Sequence, residues 1–155
     1  ADLSRADLSG ANLSGADLSG ANLSGATGIA PARVCSLLIL MDQPGPIRAY
    51  KLVTAAGDSP IRTATPLRYE MGSRLEVPDA DTDPSVECAA GINVATLDWC
   101  LREWQPGYRI LLVEFTAADI AAIPTATDGK FRCHRVTVVG EKDLAAFGIA
   151  QEAAS

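Results

Sequence analysis

Few residues of this chain have the type and spacing that catalysis needs. The single histidine, His134, sits inside FRCHRVTVV (131–139), a stretch that alternates like a strand. A nucleophile needs a base in hydrogen-bond reach and a third group to orient that base. Cys88, ahead of the turn at Gly91, is a nucleophile by type, and no base can be named for it. Glu103 and Glu114 are acid–base candidates by type alone. No catalytic residue is assigned, and whether the chain is an enzyme stays open, with the inclination against it. Tyr50, Cys88, Gly91, Asn93 and Thr96 make up the one candidate pocket.

Metal chemistry is poorly supplied. Cys35, Cys88, Cys100 and Cys133 follow no C-x-x-C spacing, so free, buried, reduced thiols are expected. Cys133 and His134 are adjacent, which in a strand sends them to opposite faces and argues against a zinc site. In PDADTDP (78–84), Asp79, Asp81 and Asp83 imitate the first three ligands of an EF-hand loop. Pro84 then stands where the turn glycine belongs and Ala90 where the bidentate Glu belongs. The segment reads as a solvated loop; no metal site and no cofactor are expected.

These residues are carried by a chain with two unlike parts. The first 28 residues are ADLSR-ADLSG-ANLSG-ADLSG-ANLSG-ATG, five near-identical units and a broken sixth. Five residues of α-helix advance about 500°, so Leu3, Leu8, Leu13, Leu18 and Leu23 would scatter around the cylinder. Each of Gly10, Gly15, Gly20 and Gly25 would cost about 1 kcal/mol in a helix interior. Extended geometry fits instead: residues two apart share a face, so Ala6 and Leu8 point inward and Asp7 outward. The Ser-Gly pair turns the chain, since Gly accepts positive φ. Each unit is one short side and one corner of a coil.

The pattern A-(D/N)-L-x-x resembles the pentapeptide-repeat family. That resemblance implies a right-handed, four-sided β-helix with about four units per coil and leucine stacked on leucine. Residues 1–28 then form a β-helix stub of about one coil, residues 29–32 a linker, 33–148 a small α+β domain and 149–155 a frayed tail. Solenoid repeats need stacked neighbours to bury their apolar face. The stub is therefore expected to be the end of a longer solenoid or part of an intermolecular one. Its interface residues are Leu3, Leu8, Leu13, Leu18, Leu23, Ala6, Ala11, Ala16 and Ala21.

Within the domain, VCSLLILM (34–41) reads as a buried strand or short helix, stopped by DQPGP. IRAYKLVT (47–54) alternates, with Ile47, Ala49 and Lys51 on one face and Tyr50 and Leu52 on the other. Ile61 opens a short extended piece, and residues 67–77 suggest two short strands around a bend at Gly72. Gly91–Ala95 is a strand, Thr96 an N-cap, and 97–104 a helix presenting Leu97, Cys100, Leu101 and Trp104 on one face. YRILLVEF (108–115) is the strongest strand. Residues 116–124 form a helical turn capped by Thr116, 131–139 one strand, and 141–147 a terminal turn.

The order C-x-x-G-I-N-V-A-T, YRILLVEF, A-x-D-I-x-x-I-P, G-K-F-R-C-x-R-V-x-V-V is similar to a C-terminal domain found after pentapeptide repeats in phage and bacterial proteins. It also resembles the conserved end of phage accessory proteins of the lysis-inhibition type. The resemblance runs from Tyr50 to Glu141 and implies a phage or prophage setting. Asn93 stands where that family pattern leads one to expect histidine; if an imidazole is the family's general base, this chain lacks it.

Net charge is −6, which speaks against binding nucleic-acid phosphates, and no apolar run reaches the length of a membrane span. No secretory leader is visible, and a cytoplasmic or virion-associated location is expected. The functional expectation is a non-enzymatic assembly or attachment module, meeting a protein partner or itself through the stub and a protein through the α+β domain. One alternative is an ADP-ribosyltransferase-like or NAD-binding cleft, because GINVA is loosely similar to the G-I-Y-F-A segment of those enzymes and Tyr50 to their dinucleotide-holding aromatic. The other, if further coils precede the stub, is an acidic DNA mimic acting on a topoisomerase, through a charged surface to which Asp2, Asp7 and Asp17 belong.

Overall fold

A computed structural model describes residues 2–11, 13, 16–29, 34–60 and 66–149. In the stub, residues twenty apart pair as parallel bridges, Asp2 with Asn22 and Asp7 with Thr27. One coil therefore takes four units. Its corners are turns in which the Ala N–H of each unit donates to the Leu carbonyl three residues back, at 2.9–3.1 Å in all five cases. The fifth position of a unit has positive φ, 77° at Gly10, 71° at Gly20 and 70° at Gly25, as the third residue of a type II turn requires. Arg5 holds the same position at φ 59°. The second-position Asp or Asn accepts from the Ser amide two residues on, at 2.9–3.1 Å for Asp2, Asp7, Asp17 and Asn22. The Ser hydroxyl, and after it the Ser amide, hold the Asp2, Asp7 and Asp17 carboxyls below their ordinary range.

The rest of the described chain is mostly an antiparallel sheet. Its strands are β1 (Ile47–Val53), β2 (Arg74–Glu76), β3 (Ile92–Ala95), β4 (Arg109–Phe115), β5 (Ile120–Ala122), β6 (Lys130–Cys133) and β7 (Arg135–Glu141). They lie in the order β2-β7-β4-β1-β3-β6-β5. The sheet does not close, and three-residue strands at both edges offer little template for a foreign strand. Alternate residues of each strand feed two cores. Ile47, Ala49, Val53, Val94, Val113 and Phe131 belong to the larger one, where Phe115 meets Phe131 edge-on at 5.8 Å. Leu52, Ala95, Ile110 and Leu144 form the smaller, under helix α1 (Leu97–Glu103), whose Leu97, Cys100 and Leu101 face it with Trp104 at the C-cap. The strands at 47–53, 92–95 and 109–115, and the inward face of α1, lie where sequence periodicity puts them.

Other expectations are corrected. Of the two alternatives for the run 34–41 the short helix holds, as a 3₁₀ helix over Ser36–Asp42, but the run is not buried throughout: Ile39 and Met41 stay 61% and 48% exposed. Cys35 is in the core, and Leu37, Leu38 and Leu40 pack against it. The strand expected over 131–139 is two. At His134 the chain leaves its β6 pairing: the His134 N–H donates to Asp119 and its carbonyl accepts from Val77, and β7 crosses to lie between β2 and β4. Residues 67–77 give one strand, β2, plus an isolated bridge of Arg68 with Asp58. Thr96 holds the N-cap position with extended backbone but makes no side-chain cap bond. Thr116 precedes a 3₁₀ turn, Ala117–Asp119, and the Asp119 carboxylate accepts from both its N–H and its hydroxyl. A third 3₁₀ segment covers Leu144–Phe147. The extended piece at Ile61, most of the linker and nearly all of the tail lie outside the described residues. Among the described residues no helix is long and apolar enough to cross a membrane.

Candidate functional site

β1 and β3 are neighbours in the sheet, yet their register holds one pair, Tyr50 with Ala95. Beyond it the strands part. Lys51, Leu52, Asn93 and Val94, which would have paired next, line a cavity of about 10 Å3 with Tyr50, Trp99 and Lys130. That is room for one water. The split brings together Tyr50 and Asn93 of the candidate pocket. Cys88 joins at one remove, as its Sγ accepts from Lys130 Nζ at 3.0 Å. Gly91 and Thr96 do not line it. Gly91, at φ 143°, instead lets the Arg132 side chain pass, since a Cβ there would lie 3.3 Å from Arg132 Cβ. Of the cysteines, all free, Cys35, Cys100 and Cys133 are buried as expected, and Cys88 is exposed.

Sequence reading missed the cations. Lys51 and Lys130 are 3% and 5% exposed, and Arg132 is fully buried. Lys51 Nζ donates to Ser59 Oγ at 3.0 Å and lies 5.1 Å from the Tyr69 ring centroid. Burial pushes its ammonium down to about 8, and the Lys130 charge acts in the same direction. The Asn93 Oδ1 beside them is buried without a partner. The available signal was Lys51 itself, a charge on the inward face of an alternating strand.

Arg132 explains the acidic loop. Its Nε donates to the Asp81 carbonyl at 3.0 Å, Nη1 to Val86 and Glu87 at 2.7 and 3.2 Å, and Nη2 to Asp83 at 2.8 Å. The Asp81 and Asp83 carboxylates turn outward to accept the amides of Asp83 and Ser85 at 2.8 and 2.9 Å. The carbonyls of the loop circle a guanidinium.

Among the remaining candidates, Glu103 is exposed at the end of α1 and Glu114 pairs with Arg48 at 3.1 Å. A groove of about 400 Å3 passes Pro46, Arg74, Glu114, Asp119 and Arg135. Its charges are tied to one another, Arg135 to Glu76 at 2.6 Å and to Asp119 at 3.5 Å. His134 is half-buried, with Nδ1 3.3 Å from the Val77 carbonyl.

The stub differs in having one covered end. Ala21 and Leu23 are 4% and 3% exposed and pack with Ala126 of the sheet domain, beside Leu3, Leu18 and Ile29. Gly20 N–H donates to the Ala126 carbonyl at 2.9 Å. Leu3, Leu8, Leu13, Leu18 and Ala6 are half-buried, and Ala11 and Ala16 are exposed.

Residues 1–27 match the family model described as pentapeptide repeats (8 copies). The match covers the stub and none of the sheet. No curated protein and no solved structure matches the chain.

Proposed function

We propose that the chain is a non-enzymatic assembly or attachment module that docks through its pentapeptide stub, while the sheet domain closes the other end of the coil and offers a protein-binding surface. The observation that carries this reading is the asymmetry of the stub. Ala126 packs with Ala21 and Leu23 of the second coil, whereas Leu3, Leu8, Leu13 and Leu18 of the first are only half covered. A fully buried Leu gains about 1.5–3 kcal/mol, so a coil set against the first recovers burial that the chain does not achieve by itself. A phage or prophage setting is the context that the resemblance of the C-terminal tract implies.

The split between β1 and β3 favours no second reading. Space for one water does not admit a nicotinamide ring, and the Tyr50 ring carries the Lys142 ammonium 6.0 Å from its centroid. The carboxylates of Asp2, Asp7 and Asp17 each accept from their own Ser and lie on three different sides of the coil.

The test extends the open end. With one further coil of Ala-Asp-Leu-Ser-Gly units placed ahead of Ala1, the added amides should resist hydrogen exchange and Leu8 and Leu13 should gain protection. An added coil that exchanges freely would count against docking at this face.

A further inference from the structure

Independently of the docking reading, we propose that Cys88 and Lys130 form a site of oxidative modification, at which a hydroperoxide oxidises the thiol and the lysine amine then closes a covalent bond to its sulfur. The two groups come from different elements and meet in contact. Lys130 Nζ lies 3.0 Å from Cys88 Sγ, the separation of a near-attack pair. Lys130 opens β6 opposite Ala95 and is 5% exposed, so its ammonium reaches Cys88 from inside the fold. Among the described residues that ammonium makes no ion pair, and the sulfur is its one hydrogen-bond partner. Burying a charge is costly unless it is paired, so a nitrogen held in this place is aimed at the thiol and at little else.

Both groups are fixed. Arg132 binds the carbonyls of Val86 and Glu87, at 2.7 and 3.2 Å, which fastens the chain just ahead of Cys88. Beyond it, the Ala90 carbonyl accepts from the Asp81 N–H at 2.8 Å. Cys88 is exposed between these anchors, so a hydroperoxide enters from solvent while the amine approaches from the protein side. The other thiols do not compete. Cys35, Cys100 and Cys133 are buried, and none pairs with Cys88. Burial pushes the Cys100 thiol up to about 12 and raises that of Cys133 as well, which leaves both inert.

In the first step the Cys88 sulfur attacks one oxygen of the hydroperoxide. The O–O bond breaks, an S–O bond forms, and two electrons pass from sulfur to the peroxide, which leaves as water or an alcohol. The sulfenic acid so formed condenses with a thiol or a nitrogen. With no thiol paired to Cys88, Lys130 Nζ is that nitrogen. Its ammonium releases a proton to solvent and the amine lone pair attacks sulfur. The S–N bond forms, the S–O bond breaks, and the hydroxyl leaves as water with a proton from nitrogen. The protein is then lighter by two hydrogen atoms, and the loop ahead of Gly91 is tied to β6. Added thiol reverses the link by attacking sulfur and freeing the amine, and a second thiol clears the mixed disulfide.

The experiment treats the whole folded chain with hydrogen peroxide, alkylates it in denaturant, and reads intact mass and peptide digests. The expected product has lost two hydrogens, carries a joined Cys88–Lys130 peptide pair and leaves Cys35, Cys100 and Cys133 to be alkylated. Dithiothreitol should restore the starting mass. Cys88→Ser should lose no hydrogen. Lys130→Met, which keeps the stem, should form no link and carry Cys88 on to sulfinic acid, with circular dichroism matching the wild type. The wild-type product decides the matter even where that variant fails to fold. Sulfinic acid at Cys88 with Lys130 free, a link that keeps the oxygen, a disulfide from Cys88 to another cysteine, or a Cys88 thiol that survives peroxide would each overturn the proposal.

Discussion

Lys51 stands on the inward face of β1 between Ala49 and Val53, where its neighbours on that face are apolar. Burial makes its charge unfavourable, and its ammonium titrates near 8 in the fold against 10.5 in the unfolded chain. Between those values the unfolded chain holds a proton that the native chain lacks, so stability rises with pH. Buried thiols act oppositely. Cys100 is pushed up to about 12 from 9.0, and Cys133 is raised by burial as well, so each loses stability as pH climbs above 9. Burial raises the Tyr69 hydroxyl too, with the same sign from pH 10 upward. Between pH 8 and 9 Lys51 contributes a gain of roughly 1 kcal/mol, which the two thiols, already ionising in the unfolded chain, partly offset. Across that window Lys51→Met should therefore fall behind the wild type by roughly 1 kcal/mol in urea unfolding. Equal pH slopes in the two proteins would show that Lys51 is not the source.

At the scale of elements, Arg132 of β6 holds the loop from Asp81 to Glu87 by four backbone carbonyls. Arg132→Met keeps the stem and removes the donors. At about 0.5–1.5 kcal/mol net for each of the four bonds, a loss of about 2–6 kcal/mol is expected, with amide protection failing in the loop before it fails in β4. Cooperative loss of both at once would mean that the loop is not a separate unit. The corners of the coil offer the opposite sign. Arg5 occupies left-handed backbone that costs a side chain about 1–2 kcal/mol, so Arg5→Gly should raise the stub's protection, less the greater freedom of Gly when unfolded. Unchanged exchange at Leu3 and Leu8 would refute it. What could be read in the sequence follows the same division. The repeat period, strands β1, β3 and β4 and the face of α1 are local patterns, and alternation or spacing reveals them directly. The break at His134 is set by Asp119 and Val77, distant in sequence, so nothing in FRCHRVTVV marks it. The partial burial of 34–41 depends on the core it packs against. In the candidate pocket, Tyr50 and Asn93 were identifiable by type, whereas Lys130 enters by pairing opposite Ala95 across β3. That pairing is tertiary information.

Across the whole molecule the two parts are unequal. The sheet domain has its own cores on both faces, and the stub contributes to neither. Ordering a residue's backbone costs about 1–2 kcal/mol, and burying a Leu returns about 1.5–3. The stub has one Leu in five residues, and Leu23 is the one buried to 3% exposure. Alone it falls short, so its order depends on what seals its ends. The sheet domain covers it with the turn at Ala126, 5% exposed, through its methyl against Ala21 and Leu23 and its carbonyl to Gly20, with Ile29 packed on the same cluster. Ala126→Arg should therefore drive the turn off the coil. The amides of Leu3, Arg5 and Leu8 should then exchange at the rate of an unstructured chain, while those of β1 and β4 keep their protection. Leu13→Lys, on the open side away from Ala126, should leave both sets protected and weaken only the docking of a further coil. If Ala126→Arg spares the stub, the coil is held by its own ladder and the sheet domain is not its cap. If it unfolds the sheet as well, the two parts share one cooperative core and the stub cannot act as a separate docking device.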